Sequence, residues 1–181
     1  MTTTTIGPES GTLTLSTGVE GRAARMGHAL TLLVRDWEAQ VDLEGTRPTQ
    51  VRLRAALPSL EVARGEGGVK PLSDRDKATI VSNALGALKA DAHPYVLFVS
   101  RSVTPAEGGY DLEGDVTIAA VTRPHTLHVE VVEAGPRVQL VAETSVVQTE
   151  HGVKPYSAMA GTLKLRDRVD LRLDASTPLP L

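Results

Sequence analysis

The chain has 181 residues, enough for one domain with a sizeable core, and a formal net charge of −3, which leaves no broad basic field for nucleic acid. It contains no cysteine, which excludes disulfides, thiolate metal sites and a cysteine nucleophile, and fits a reducing compartment. No apolar run reaches the ~20 residues of a membrane span, and MTTTTIGPESG has neither the basic nor the apolar part of a secretory signal, so a cytoplasmic protein without stable membrane insertion is expected.

Residues 1–10 are polar and are expected to be disordered. From Gly11, the alternation of Thr12, Leu13, Thr14 and Leu15 predicts a strand. His28–Leu43 reads as a long strand with a fault: His28, Leu30, Leu32 and Val34 share one parity, Trp37, Ala39, Val41 and Leu43 the other. A one-residue slip turns a strand's whole face over, so a bulge or bend is predicted near Arg35–Asp36. QVRLRAAL alternates again.

The stretch after GGVKP changes period. Ser73 is a predicted N-cap, Asp74 and Asp76 suit a first helical turn, and Ile80, Ala84, Leu85 and Leu88 fall on one stripe. One helix near residues 74–90 is therefore expected, with Pro94 barring continuation. YVLFVS is apolar on both parities. In YDLEGDVTI, Leu112, Val116 and Ile118 oppose charged and polar neighbours; a turn is read at Thr122-Arg123-Pro124, after which Leu127, Val129 and Val131 oppose His128 and Glu130. RVQLVAETSVV, GTLKLRD and RVDLRLDA are further strands, and residues 176–181 form a flexible tail. The sum is an all-β fold: about eight antiparallel strands in a curved sheet with one helix.

His125 and His128 form the pattern H-T-L-H. On a strand, residues three apart face opposite sides, so the pair does not jointly grip a metal. No metal site and no cofactor follow from the sequence. Catalytic motifs are missing too: there is no G-x-S-x-G and no H-E-x-x-H, and GEGGVK lacks the G-K-[ST] ending of a phosphate loop. Asp74 and Asp76 are accounted for by helix capping. No catalytic residue is assigned.

The stretch LEGDVTIAAVTRPHTLHV resembles the G-D-[LV]-T-[LI]-x-G-V-T-[KR]-P hairpin of the YceI-like (lipid/polyisoprenoid-binding) family. GHALTLLVRDWEAQV is similar to that family's early strand, GGVKPLSDRDKATI and DAHPYVLFVS to its helix and following strand, and HGVKPYSAMAGTLKLRDRVDLRL to its last strands. The resemblance spans about residues 11–175. Ala29 departs from an Asp in one branch, and Ala120 from the hairpin's usual Gly. The resemblance implies an extended, lipocalin-like antiparallel β-barrel with an apolar interior that holds isoprenoid chains, quinone-like molecules or other amphiphiles.

On that expectation the inner-wall candidates are Leu30, Leu32, Val34, Phe98, Val116, Ile118, Leu127 and Val129. His28 heads the inward face of its strand as a polar anchor. The loops around Gly65–Leu72 and His151–Met159 are expected to frame an opening beneath the helix, with Tyr156 and Met159 touching a ligand's exposed end and His93, His151 and Lys154 at the same rim. A non-enzymatic carrier of an apolar-chain small molecule is favoured. The rival readings are an enzyme using His28 as acid or base in the same cavity, and a filled structural barrel. Unpaired edge strands invite pairing between chains as a homodimer.

Overall fold

A computed structural model describes residues 1–178; Leu179–Leu181, the end of the expected tail, lie outside the described residues. In chain order the elements are β1 (Thr2–Ile6), β2 (Gly11–Thr17), β3 (Val19–Glu20), β4 (His28–Val34), β5 (Trp37–Glu44), β6 (Arg47–Ala56), β7 (Leu60–Gly67), α1 (Asp74–Ala87), β8 (Tyr95–Ala106), β9 (Gly109–Ile118), β10 (Val121–Ala134), β11 (Arg137–Val147), β12 (Ser157–Ala158), β13 (Leu163–Leu165) and β14 (Arg168–Pro178). Eleven strands form one antiparallel sheet in the order β1-β5-β6-β8-β9-β10-β11-β14-β2-β4-β7, and β12, β13 and β3 form a small second sheet.

β4 and β5 sit near opposite ends of that order, yet only Arg35 and Asp36 separate them in the chain. β6 and β7 are likewise separated only by Leu57–Ser59. The two runs pair with each other along their whole length, Val34 opposite Leu60 and Trp37 opposite Ala55. They are therefore one long ribbon with a corner in it. One half of the ribbon pairs with β2 and the other with β8, so the corner closes the curl of the sheet. The corner is held by backbone bonds from Arg35 N to Ser59 O (3.2 Å) and Ala56 N to Asp36 O (2.9 Å). The Ser59 hydroxyl adds one bond from Asp36 N (2.9 Å) and donates another to Ala56 O (2.7 Å). The parity slip at Arg35–Asp36 is this corner: inward residues change from Leu30, Leu32 and Val34 to Trp37, Ala39 and Val41, all buried.

The expected eight strands become eleven for two reasons. The corner splits the expected run His28–Leu43 into β4 and β5, and β1 and β7 are additional. Residues 1–10, expected to be disordered, contain β1, which pairs with β5 from Thr2–Leu43 to Ile6–Ala39 and is pinned by a Thr3 hydroxyl donating to Asp42 (2.7 Å). Of the expected flexible tail, Ser176–Pro178 complete β14 against Arg137–Gln139.

A second correction concerns the β9–β10 hairpin. The turn is Ala119-Ala120, both with positive φ (49° and 68°), between Ile118 and Val121. Thr122, Arg123 and Pro124 lie within β10, and Pro124 opposes Asp115. Pairing of β10 with β11 starts only at Val129, so Pro124 has a strand on one side only and its missing N–H leaves no ladder bond unmade. His125 is thus a strand residue, its Nε2 2.7 Å from the Thr144 hydroxyl, and His128 faces outward to Asp111 (2.7 Å).

The turns at 45–46, 107–108 and 135–136 gather at one end of the barrel, because antiparallel strands alternate in direction. The long connections, residues 18–27, 68–94 and 148–167, gather at the other. α1 belongs to this second end. Its start carries a complete capping box: Asp76 N donates to the Ser73 hydroxyl (3.2 Å), and Ser73 N to the Asp76 carboxylate (2.9 Å). Ile80, Val81, Leu85 and Leu88 turn toward the barrel core.

Candidate functional site

Beneath the long connections the interior is hollow. A cavity of about 760 Å³ is walled by Leu13 and Leu15 of β2, Leu30, Leu32 and Val34 of β4, Leu53 and Ala55 of β6, Ile118 of β9, Val146 of β11 and Val169 and Leu171 of β14. Leu72 and the Ile80, Ala84 and Leu88 stripe of α1 cover it on one side; Val19, Leu163 and Leu165 of the small sheet, with Val153 and Tyr156, cover it on another. Neither cover belongs to the main sheet.

The predicted site residues divide cleanly. His28, Leu30, Leu32, Val34, Ile118 and Tyr156 line this cavity. Phe98, Val116, Leu127, Val129 and Met159 do not. Phe98 and Val116 are buried in a second cluster with Leu112 and Ile118, against which Leu127 and Val129 pack. The Phe98 ring lies against Gly114, where a Cβ would stand 2.8 Å from it. An aromatic ring lying across its neighbour's glycine fills the space that a small residue would leave open. Met159 is exposed, with φ 52°, in the left-handed run that continues through Ala160. The two expected rim loops do converge: Lys70, Pro71 and Leu72 face the same void as His151, Val153, Lys154, Pro155 and Tyr156. His93 stands apart from it.

Polar groups are few and placed at the covered end. His28 donates from Nε2 to the Lys70 carbonyl (2.8 Å) and its ring packs on Gly68, whose φ of 74° lets the backbone approach so closely. The Asp76 carboxyl is held below its ordinary range, first by the hydroxyl and backbone N–H of Ser73, with Lys70 and His28 adding favourable charge. Lys70, Lys154 and Lys164 border the cavity but are exposed.

His151 was legible only as one of several rim residues, and its position is the less expected one. It is 3 % exposed and lines the cavity. Its Nδ1–H donates to the Val121 carbonyl (2.9 Å), since a carbonyl can only accept. Nε2 has no partner within the protein among the described residues. The Thr17 hydroxyl, in the same wall, is buried and also unpartnered. Nearby, burial pushes the His125 imidazole down, and the charge of His151 adds to that. Among the described residues no group of three His, Asp or Glu stands ready to hold a metal ion, and no helix is long and apolar enough to cross a membrane.

What this arrangement can do chemically is bind a chain: long aliphatic walls around one partly open volume, with hydrogen-bonding groups near the covers. The chain matches the YceI-like domain over residues 16–177. Among solved structures it is similar to BcnA of Burkholderia cenocepacia, at 14% identity and a TM-score of 0.70, covering 95% of this chain and 99% of that one. It is also similar to a YceI protein of Campylobacter jejuni, at 12% identity and a TM-score of 0.60, covering 81% and 83%. A cysteine mutant of the latter, solved with a monobromobimane guest, matches equally well. At these identities the likeness is one of fold. No curated protein shows significant sequence similarity to the chain.

Proposed function

The chain belongs to the family of YceI-like domains, and from that premise we propose that it is a carrier or sensor that holds an apolar-chain small molecule, such as an isoprenoid, a quinone-like compound or another amphiphile, inside the barrel. The observation that supports this reading is the aliphatic cavity of about 760 Å³. Its size falls within the roughly 300–1,000 Å³ of small-molecule sites. Each CH₂ moved from water into such a wall contributes about 0.8 kcal/mol, against roughly 0.5–1.5 kcal/mol for a net hydrogen bond. A chain of a few isoprene units therefore supplies most of the affinity, and polar groups set orientation.

The reading of His28 as acid or base finds less support. Its Nε2 is engaged by Lys70, and the carboxylate of Asp76, which feels its charge, is tied into the helix cap. The filled-barrel reading fails to account for the void. Compartment and assembly are proposed alongside the function. The cysteine-free sequence supports a cytoplasmic site of action. Tyr95, Leu97 and Val99, 42, 39 and 42% exposed in a row on the outer face of β8, support association as a homodimer.

Native mass spectrometry of the purified protein, with organic extraction of any bound molecule and titration with prenyl chains, tests the function. Bound or bindable apolar chains are expected. Empty protein that takes up no chain of any length refutes it.

A further inference from the structure

An aliphatic cavity selects for a chain and says little about the chain's polar end. The polar atoms left over in the cavity wall carry that information. Three lysines border the void, Lys70, Lys154 and Lys164, but all are exposed and keep their hydration. His151 differs from them: it is almost wholly buried, its Nδ1–H is fixed on the Val121 carbonyl, and Nε2 is left without a protein partner. With its hydrogen on Nδ1, a neutral imidazole presents Nε2 as an acceptor. An apolar chain that fills the cavity takes water away from Nε2, and leaving a desolvated acceptor unpaired is costly, so the site favours a ligand that brings a donor.

We infer that the occupant's polar end is a hydroxyl that donates to Nε2 of His151, so that the cavity selects an apolar-chain alcohol over an ether or an anionic head on the same chain. This rests on the carrier reading above and names the ligand class for that same cavity. His151 acts here as a specificity residue. A carbonyl or ether oxygen has no proton for Nε2, and a phosphate or carboxylate brings a charge into an apolar wall with no buried cation to meet it.

The test uses three probes with one chain: farnesol, farnesyl methyl ether and farnesyl phosphate. Each displaces a fluorescent apolar dye from the full chain at about pH 8, well above the ordinary histidine range. The alcohol is expected to bind roughly fivefold tighter than the ether, the difference made by one net hydrogen bond. In His151→Phe, which keeps the ring and removes the acceptor, that gap is expected to close while ether affinity stays unchanged. Equal binding of alcohol and ether by the wild-type chain overturns the inference and leaves the carrier reading standing. So does tightest binding of the phosphate, which would assign recognition to the rim lysines. No binding of any probe overturns both. Should His151→Phe fail to fold, the alcohol-to-ether ratio of the wild-type chain decides alone.

Discussion

The interior has a filled half and a hollow half, built from much the same residue types. In the filled half Trp37, Val41, Leu43, Val138, Leu140 and Ala175 are buried against one another with Ile6, and Trp37 and Val138 are the largest side chains to be fully enclosed. In the hollow half Leu15, Leu30, Leu53, Val169 and Leu171 line the void. The difference lies in two things. The large aromatics Trp37 and Phe98 both fall outside the hollow half, where Tyr156 is the one tyrosine, tryptophan or phenylalanine in the lining. And the hollow half is covered by α1 and the small sheet, neither of which belongs to the main sheet. A cavity here needs no special residue; it follows from where the bulky rings are not.

Truncation should separate the halves most strongly. Trp37→Ala removes the largest buried side chain and is expected to cost about 3–5 kcal/mol in urea unfolding. Leu15→Ala enlarges a void that exists already and is expected to fall at or below the lower end of the roughly 2–5 kcal/mol range for such changes. Equal losses at the two sites would mean that the hollow half is collapsed in solution. Enlargement should invert the order. Ala175→Leu forces extra methylenes into closed packing and should cost about 1–3 kcal/mol. Leu15→Trp has room, should leave the urea midpoint nearly unchanged, and should lower affinity for a C15 prenol at least tenfold by filling its space. Unchanged affinity would remove the cavity as the binding site.

Acid should open the covered end first. His125 has its ordinary value of 6.5 lowered by burial and by His151, so the unfolded chain binds a proton that the folded chain resists. Stability from this group is complete above that value and declines as pH falls below it. Asp76 has its ordinary 3.8 lowered by Ser73, so the cap's contribution persists above that value and is lost as pH falls through the depressed pKa. Both groups stand at the covered end. Protection against amide exchange, measured relative to the intrinsic rate at each pH from 7 to 3, should therefore fall in α1 and the first residues of β10 before it does in β5 and β6. Ser73→Ala, expected to cost about 1 kcal/mol, should advance the α1 step and leave the His125 step in place. Simultaneous loss of protection everywhere would show that the two halves unfold as one unit.

The same contrast explains which features were legible in the sequence. Parity marks an inward face, and it located the corner at Arg35–Asp36 and the inward row of His28, Leu30, Leu32 and Val34. Parity does not say whether the space that a face meets is occupied. Phe98 and Val116 share the inward direction with Ile118, yet only Ile118 reaches the cavity, because filling is a property of opposing strands. β1 was hidden because TTTTI has no apolar alternation; it is held by backbone pairing to β5 and by Asp42. β3 and β12 are too short to show a period at all, whereas β13 shows as the alternation in GTLKLRD. His151 carries no motif, and its burial arises from contact with Val121, thirty residues away.

The smallest effect concerns the hairpin misread at Pro124. Proline and its neighbours carry a turn signal, while Ala119-Ala120 carries none, yet the tight turn lies at the alanines and both are left-handed. An L-residue pays roughly 1 kcal/mol or more for that conformation, and glycine does not. Ala120 is exposed, so its methyl group buries nothing that would be lost; Ala119 is buried in the cluster with Phe98 and Ile118, so its methyl group does. Ala120→Gly should therefore stabilise the chain by about 0.5 kcal/mol, the released strain exceeding the added freedom of the unfolded chain. Ala119→Gly should be neutral or destabilising, because lost packing offsets the same release. The turn lies at the covered end, beside Val121 and hence beside the carbonyl that orients His151. If Ala120→Gly raises the urea midpoint and leaves prenol affinity unaltered, the strain is incidental to binding. If affinity falls as stability rises, the left-handed alanines serve to hold Val121 in place for His151, and the hollow half has its geometry at the expense of its stability.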